Sequence, residues 1–214
     1  GNGSLDLVTA NNVASAQSVS VLLGSGTGSF GAAATYFVSS LPHGVVIADL
    51  DGDLLPDLAT ANFLSNDVSV LAGNGAGSFS QAPSSVVGNN PRAVALADFN
   101  GDGALDAVSA NANASGTVSV LLGDGGGSFG AAAGFATGGT PEGVAAAPLD
   151  AGASIDLVTA NRTGNNVSVL IGNGAGGFSA ATNHPAGSAP TAIAIGDFDL
   201  DGRRDLVVAN QIAS

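Results

Sequence analysis

Short apolar runs separated by polar and glycine-rich segments make up this chain, and they predict β-strands. In a representative stretch, Val45-Val46-Ile47-Ala48 predicts a first strand, and residues 57–62, closed by Asn62 as a turn former, predict a second. Residues 68–72 predict a third strand, and residues 84–87 predict a fourth, less regular one. No segment keeps an apolar period of 3.6 residues over the length of a helix. The pattern therefore indicates an all-β chain.

The predicted strands recur about every 49 residues. Three markers keep this period: an aspartate that begins each second strand, a phenylalanine after each glycine-rich turn, and a proline before each first strand. They are Asp6, Asp57, Asp106, Asp156 and Asp205; Phe30, Phe79, Phe129 and Phe178; and Pro42, Pro91, Pro141 and Pro190. About four repeats of four antiparallel strands are typical of β-propeller blades.

We expect a single β-propeller repeat domain over residues 1–214. Its complete repeats are predicted at 44–92, 93–142 and 143–191, with partial repeats at 1–43 and 192–214. Propellers usually have more blades than this, so we expect an excerpt of a larger propeller or one part of an assembly. Closure within one chain would join the last two strands to the third and fourth strands of the first repeat. That closure leaves residues 5–10 as a surplus strand, which invites head-to-tail pairing of copies.

Composition excludes several classes of protein. The net charge is −13, with 17 acidic residues against four arginines and no lysine, which argues against nucleic acid as a partner. No apolar run approaches the roughly 20 residues that a membrane-spanning helix needs. The chain has no cysteine, which excludes disulfides and thiol chemistry.

Most of the acidic residues lie in one repeated loop. Its first complete copy, residues 49–57, carries four aspartates, and two unit charges 4 Å apart repel by about 1 kcal/mol even in water. Hard oxygen ligands without histidine or cysteine favour calcium. Further copies occupy residues 98–106 and 197–205. Solvated turns remain the alternative, because Asp and Gly favour turns by themselves. An EF-hand is excluded, because it needs flanking helices and a glutamate where this chain has Thr60, Ser109 and Val208.

These loops, the following D-L-V-x-A-N strand and the segment V-S-V-L-x-G-N-G-x-G-x-F resemble the FG-GAP repeat of integrin alpha-subunit propellers. The resemblance is closer still to the VCBS-type repeat of many bacterial secreted and surface proteins, and it covers essentially the whole chain. It implies calcium in the loop between the first and second strands of a blade. The ligands implied are the side chains of Asp49, Asp51, Asp53 and Asp57 with the Leu55 carbonyl; Asp98, Asn100, Asp102 and Asp106 with the Ala104 carbonyl; and Asp197, Asp199, Asp201 and Asp205 with the Arg203 carbonyl.

Two copies of the loop depart from the pattern. Pro148 and Gly152 replace ligand positions, which leaves only Asp150 and Asp156, and we expect no tight calcium there. The first copy retains only Asn2 and Asp6.

Alternating strand directions assign the loops to two rims of the blades. The acidic loops and the glycine-rich turns share one rim, and the loops that vary between repeats share the other. The variable positions are residues 11–18, 62–67, 111–117 and 161–166, together with His43, Arg92, Glu142 and Thr191. We expect a protein or glycan ligand on this opposite rim.

Catalytic chemistry has little support in the sequence. His43 and His184 are the only histidines, Tyr36 is the only tyrosine, and no nucleophile stands out from the acidic loops, so we expect a protein that is not an enzyme. The leading expectation is a calcium-stabilised adhesion, recognition or structural module, secreted or at the cell surface. The alternatives are a carbohydrate-binding propeller and an accessory domain of a larger secreted enzyme.

Overall fold

A computed structural model describes residues 3–13 and 17–211 of the chain. These residues form eighteen β-strands and no helix, so the all-β prediction is confirmed. This part of the chain accordingly holds no helix that is long and apolar enough to span a bilayer.

Five antiparallel sheets follow one another along the chain, and each is a meander of neighbouring strands. The N-terminal sheet has three strands: β1 (Leu7–Ala10), β2 (Ser18–Leu22) and β3 (Ala34–Phe37). Blade 1 contains β4 (Pro42–Ala48), β5 (Asp57–Asn62), β6 (Asp67–Gly73), β7 (Phe79–Gln81) and β8 (Ser85–Val86), which pairs with β6. Blade 2 contains β9 (Pro91–Ala97), β10 (Asp106–Asn111), β11 (Thr117–Leu121) and β12 (Ala133–Ala136). Blade 3 contains β13 (Pro141–Ala147), β14 (Asp156–Asn161), β15 (Asn166–Leu170) and β16 (Thr182–Pro185). The C-terminal pair is β17 (Pro190–Gly196) and β18 (Asp205–Asn210). The predicted propeller blades are confirmed.

The first strands of successive blades lie side by side, in the order β4, β9, β13 and β17. Small side chains are required where these strands meet. A Cβ atom added to Gly44 would lie 2.9 Å from the carbonyl oxygen of Arg92, and one added to Gly143 would lie 3.0 Å from that of Thr191. The alanine-rich composition of the first strands follows from this close approach.

The third strand of blade 1 is one residue longer at each end than predicted, and two further differences in strand bounds are explained by proline. The first strand of blade 1 begins at Pro42 rather than Val45, with a bulge between Pro42 and Gly44. Proline can begin a strand because its carbonyl still accepts a ladder hydrogen bond. The fourth strand is split into β7 and β8 on either side of Pro83, which has no amide hydrogen to donate.

The hydrophobic core consists of three layers, each between neighbouring sheets. One layer joins the N-terminal sheet to blade 1, the second joins blades 1 and 2, and the third joins blades 2 and 3. The second strands β5, β10 and β14 are buried along their whole length, because a neighbouring sheet covers each face. Their counterparts β1 and β18 are half-buried or exposed.

The two ends of the chain remain separate in this structure. β17 pairs with β18, and neither belongs to the sheet that contains β1, β2 and β3. The ring closure within one chain that the sequence suggested is therefore not seen among the described residues.

Candidate metal centre

The acidic loops have a shared backbone arrangement in which aspartate side chains accept hydrogen bonds from nearby amides. In blade 1, Asp49 accepts from Gly52 N at 2.8 Å and from Leu54 N at 2.9 Å, and Asp53 accepts from Leu55 N at 2.8 Å. Asp98 accepts from the equivalent amides, Gly101 N and Gly103 N, whereas Asp197 accepts from Asp201 N and Gly202 N. These turns orient the carboxylates toward the inside of the loop.

Two groups of three carboxylates converge among the described residues. Each group offers oxygen atoms that all lie within 4.8 Å of one another, and the groups are Asp49, Asp51 and Asp57, and Asp197, Asp199 and Asp205. Calcium binds oxygen at about 2.4 Å, so two ligand atoms on opposite sides of one ion lie about 4.8 Å apart. The spacing and the all-oxygen donors fit this cation.

Not every predicted ligand joins these groups. Asp53 and Asp201 lie outside the converging carboxylates. In the loop of blade 2, Asn100 takes the place of Asp51, and its amide donates to Asp102 at 2.8 Å. Asp98 and Asp106 in that loop form no group of three acidic side chains.

The three main-chain ligands stay predictions. The amides of Leu55, Ala104 and Arg203 each donate to the aspartate two positions earlier, at 2.8 Å, which fixes the local backbone. Asn2, the remnant of the first loop, lies outside the described residues.

The last aspartate of each loop has a structural role that the sequence did not reveal. One oxygen of Asp57 accepts from Leu50 N at 2.8 Å, and the other accepts from Gly73 N at 2.8 Å. The Asp57 carboxylate therefore joins the acidic loop to the start of the glycine-rich turn of the same blade. Asp106 makes the equivalent pair of bonds in blade 2.

In blade 3 the last aspartate of the loop makes the same two hydrogen bonds, although the loop has no converging group of carboxylates. Asp156 is fully buried and accepts from Leu149 N and Gly172 N, both at 2.8 Å. Asp150 accepts from Gly152 N and belongs to no converging group. The buried aspartate is thus retained in a loop that lacks a cation-binding set.

Hydrogen bonding and burial act in opposite directions on two carboxylates of the blade 2 loop. The amide of Gly103, with further amides of the loop, lowers the pKa of Asp98 from its ordinary value. Burial raises the pKa of Asp106, although the amides of Gly123 and Phe99 oppose this rise. The carboxylate of Asp98, at the exposed end of the loop, therefore stays ionised to a lower pH than that of Asp106.

The acidic loops of blades 1 and 2 also contact the glycine-rich turn of the following blade. Gly127 N donates to Leu50 O at 3.0 Å, and Gly176 N donates to Phe99 O at 3.0 Å. Between blades 1 and 2 these segments line a cleft of about 490 Å³ that includes Asp49, Asp102 and Asp124. The acidic loops and the glycine-rich turns therefore share one rim, as expected.

The opposite rim carries a row of interacting side chains from successive blades. Phe63 lies between His43, at 5.3 Å between ring centroids, and Arg92, whose guanidinium carbon is 5.2 Å from the ring centroid. One oxygen of Glu142 lies 3.4 Å from both Arg92 and Arg162. Burial, followed by the charge of Arg92, lowers the pKa of His43. Of the predicted variable positions, His43, Arg92 and Glu142 thus lie together with Phe63 and Arg162. Residues 14–16 of the first variable loop are outside the described range.

A buried asparagine at the end of each second strand was interpreted from sequence only as a turn former. Asn161 is fully buried; it accepts from Thr159 Oγ1 at 2.8 Å and donates to Asn166 Oδ1 and Ser168 Oγ, both at 2.7 Å. Asn62 and Asn111 make equivalent bonds. This polar network joins the second and third strands of each blade.

Comparison with solved structures identifies the fold. A protein from Desulfotomaculum acetoxidans described as functionally unknown matches with a TM-score of 0.66 and 15% identity, over 89% of this chain and 56% of that one. A protein from Bacteroides fragilis, provisionally assigned as a 6-phosphogluconolactonase, matches with a TM-score of 0.66 and 12% identity, over 89% of this chain and 52% of that one. A protein from Bacteroides uniformis with the same provisional assignment gives a TM-score of 0.64 and 15% identity, over 91% of this chain and 52% of that one. These neighbours are of the β-propeller type, and the chain spans about half of their length.

Comparison of sequences identifies the family. No curated protein matches the chain. The FG-GAP-like repeat, in contrast, matches four times, over residues 1–60, 49–109, 98–151 and 154–208, and each match contains all or part of an acidic loop. The resemblance seen in the loops and strands is therefore confirmed, and the chain belongs to the FG-GAP-like repeat family.

Proposed function

We propose that this chain is a calcium-stabilised module that serves recognition, adhesion or scaffolding and does not catalyse a reaction. The observation that carries the proposal is the convergence of Asp49, Asp51 and Asp57, and of Asp197, Asp199 and Asp205, within 4.8 Å. Calcium sites of this all-oxygen kind in extracellular modules bind at millimolar to sub-millimolar concentrations. We propose a location outside the cell or at its surface, where FG-GAP-like repeats are common.

The cation would hold the acidic loop in its closed conformation. Without it, the carboxylates of one loop repel each other, and their mutual repulsion favours an open loop. A divalent ion offsets that repulsion and holds the loop in the form in which Leu50 O accepts from Gly127 N of the next blade. Calcium would thus stabilise the contact between neighbouring blades as well as the loop itself.

Chelation tests this proposal. We expect a chelator to lower the melting temperature, calcium to restore it, and elemental analysis to find calcium in the protein as purified. The variant Asp49→Asn should bind fewer ions, whereas Asp150→Ala, in the loop of blade 3, should bind as many as the wild type. An unchanged melt together with an absence of bound calcium would refute the proposal.

The opposite rim is the proposed recognition surface. Its support is the row of Phe63, Arg92, Glu142 and Arg162, which combines an aromatic ring with charged groups in a region where the repeats differ. We propose a protein or glycan as the ligand of this mixed surface, with carbohydrate binding at the aromatic ring of Phe63 as the second candidate function.

A glycan array separates the two candidates. Reproducible saccharide binding that Phe63→Ala abolishes and Leu122→Ala, on the other rim, leaves intact would support carbohydrate recognition. Absence of saccharide binding would leave a protein ligand as the proposal, to be tested by capture of partners with the wild type and with Phe63→Ala.

A further inference from the structure

A bulge at the start of each first strand presents one side chain on the rim opposite the acidic loops. In blades 1 to 3 and in the C-terminal pair, the ladder between the first and second strands skips the residue directly after the proline. A bulged residue is released from the alternation of the strand, and bulges commonly re-aim a side chain beside a functional site. The residues presented in this way are His43, Arg92, Glu142 and Thr191.

The backbone before each bulge is held in a strained conformation. The residue that precedes the proline has a positive φ without being glycine, and these residues are Leu41 (58°), Asn90 (59°), Thr140 (54°) and Ala189 (52°). Such conformations cost free energy and are concentrated at binding and active sites. The carbonyl of Thr140 accepts from Arg162 N, which follows the second strand, at 2.9 Å, and equivalent bonds fix Phe63 and Ala112. Each blade therefore presents two side chains from a fixed backbone: the bulged residue and the residue after the second strand.

The side chains at these positions bring two guanidinium groups together. Arg92 and Arg162 both approach the same oxygen of Glu142, each at 3.4 Å. Strong pairs between a guanidinium and a carboxylate are shorter, at about 2.7–2.9 Å, and often use both oxygens. One carboxylate therefore pairs only weakly with two guanidiniums, and most of their hydrogen-bond donors have no partner among the described residues.

The guanidinium of Arg92 is held in place at an energetic cost. Its carbon atom lies 5.2 Å from the centroid of the Phe63 ring, and its Nε is buried without a hydrogen-bond partner in the part of the chain that the structure describes. A buried donor without a partner is rare in native proteins and requires an explanation. Ala112, which has the position of Phe63 in blade 2, offers no polar side-chain group to either arginine. A fixed guanidinium with unused donors is typical of a site that recognises a carboxylate.

The charge of this region differs from that of the rest of the chain. Of the 17 acidic residues, only Asp67 and Glu142 lie outside the acidic loops and the glycine-rich turns, and Asp67 accepts hydrogen bonds from Asn62 and Ser65. Two arginines and one glutamate leave one positive charge in the row, because burial lowers the pKa of His43 and keeps its ring neutral at pH 7. The acidic rim lies one first strand of seven residues away, roughly 20 Å. This distance exceeds the screening length of about 8 Å at physiological ionic strength, so the acidic rim does not prevent an anion from binding here.

We infer that this row binds an acidic segment of a protein partner, with a carboxylate of that segment held by the guanidiniums of Arg92 and Arg162. The inference rests on the recognition surface proposed above and names the chemistry of its ligand. A planar carboxylate matches the fork of donors on a guanidinium. An acidic peptide is favoured over an acidic saccharide, because the guanidinium of Arg92 covers one face of the Phe63 ring and leaves less of the ring for a sugar to stack on.

Binding of a fluorescein-labelled hexaglutamate peptide, followed by fluorescence anisotropy, tests the inference. We expect the wild type to bind hexaglutamate with an affinity that falls as salt is added, and not to bind hexaglutamine. Arg162→Gln should raise the dissociation constant about tenfold, as expected for the loss of one hydrogen bond between charged groups. Arg204→Gln removes the same charge from an exposed position on the other rim and should leave the dissociation constant unchanged.

Two further variants distinguish recognition from a structural role. Glu142→Gln removes the carboxylate that competes for the two arginines and keeps the size of the side chain, so we expect hexaglutamate to bind severalfold more tightly, with an unchanged circular dichroism spectrum. A loss of structure would weaken binding instead. Arg162→Lys keeps the charge without the planar fork and should recover part of the affinity that Arg162→Gln loses.

The outcomes separate this inference from the proposed function. Absence of hexaglutamate binding, equal effects of Arg204→Gln and Arg162→Gln, or weaker binding by Glu142→Gln would overturn the inference. Binding of polygalacturonate that depends on Arg162, without binding of hexaglutamate, would overturn it in favour of an acidic saccharide. A partner that Phe63→Ala no longer captures, and that Arg162→Gln captures as well as the wild type does, would refute the acidic ligand and retain the recognition surface.

Discussion

At the scale of single residues, the last aspartate of each acidic loop has two separate roles, cation binding and hydrogen bonding to the backbone. The sequence motif alone does not distinguish them. In blades 1 and 2 it is a predicted calcium ligand, and it also accepts two amide hydrogen bonds from different segments of its blade. Blade 3 separates the tasks, because Asp156 keeps both hydrogen bonds and lacks the other converging carboxylates.

Asp156→Ala isolates the structural task. Its removal leaves the partly buried amides of Leu149 and Gly172 without their acceptor, so we expect the free energy of unfolding to fall by about 3 kcal/mol. Chemical denaturation measures this loss, which should be the same with calcium and with a chelator. Asp150→Ala, at an exposed position of the same loop, is the control and should change stability by less than about 0.5 kcal/mol. Equal effects of the two changes would contradict the structural role.

Asp124, in the glycine-rich turn of blade 2, allows a test of pH dependence. The amides of Gly126 and Ser128 lower its pKa in the folded protein, so its stabilising effect is present above its ordinary pKa and is lost as the pH falls through the lowered value. Asn74 and Asn173 accept the same bonds in blades 1 and 3 without a charge.

The variant Asp124→Asn should therefore keep the turn and lose this pH dependence. We expect its melting temperature to be at or below that of the wild type at neutral pH, with the difference shrinking as the solution is acidified. A difference that grows on acidification would show that the sign of this argument is wrong. Asp150→Asn, at an exposed position of the blade 3 loop, serves as a control for loss of one negative charge elsewhere in the chain.

At the scale of elements, the strands of the repeat could largely be predicted from sequence. The contacts between side chains of different strands could not, and the reason is physical. The second strand of blade 1 was predicted at residues 57–62 and is found there, because its alternation and flanking turns are local signals. The burial of Asn62 could not be predicted in the same way, since its partner Ser69 becomes its neighbour only through the register between β5 and β6. The acceptor role of Asp57 toward Gly73 depends on topology for the same reason.

The acidic loops themselves were predicted as a set, but their individual geometries were not. All three complete loops were predicted to bind calcium in the same way, whereas three carboxylates converge only in the loops of blade 1 and the C-terminal pair among the described residues. The difference lies at one position, where Asn100 in blade 2 corresponds to Asp51 and Asp199.

A reciprocal exchange tests this difference between loops. Asn100→Asp adds a negatively charged ligand to the loop of blade 2, and we expect its calcium affinity to rise about tenfold, because the number of charged ligands tunes affinity in such sites. Asp51→Asn should lower the affinity of the blade 1 loop by a similar factor. Calorimetric titration with calcium measures both, and Asp150→Asn, in the blade 3 loop, should change neither. Changes of the opposite sign would refute the assigned ligand position.

At the scale of the whole molecule, stability is distributed from the buried second strands to the outer strands. β14 is buried throughout and lies between neighbouring sheets, whereas β16, at the outer edge of the same blade, is exposed throughout. The core is divided among separate layers between blades, so each blade depends mainly on its neighbours.

Amide hydrogen exchange should reveal this gradient. We expect the amides of β14 to exchange slowest in blade 3 and those of β16 to exchange orders of magnitude faster, because outer strands open without disruption of the core. The comparison of β10 with β12 in blade 2 serves as an internal replicate. Uniform protection across a blade would indicate that blades open only as whole units.

The separate hydrogen-bonding role of Asp156 bears on how such proteins can diverge. A loop whose frame depends on one buried carboxylate can gain or lose the remaining acidic residues without losing its shape. For the calcium role proposed above, single substitutions would then change the number of ions per chain one repeat at a time, while the architecture stays constant. Related chains with the same fold can accordingly differ in the calcium concentration and ionic strength at which they are stably folded.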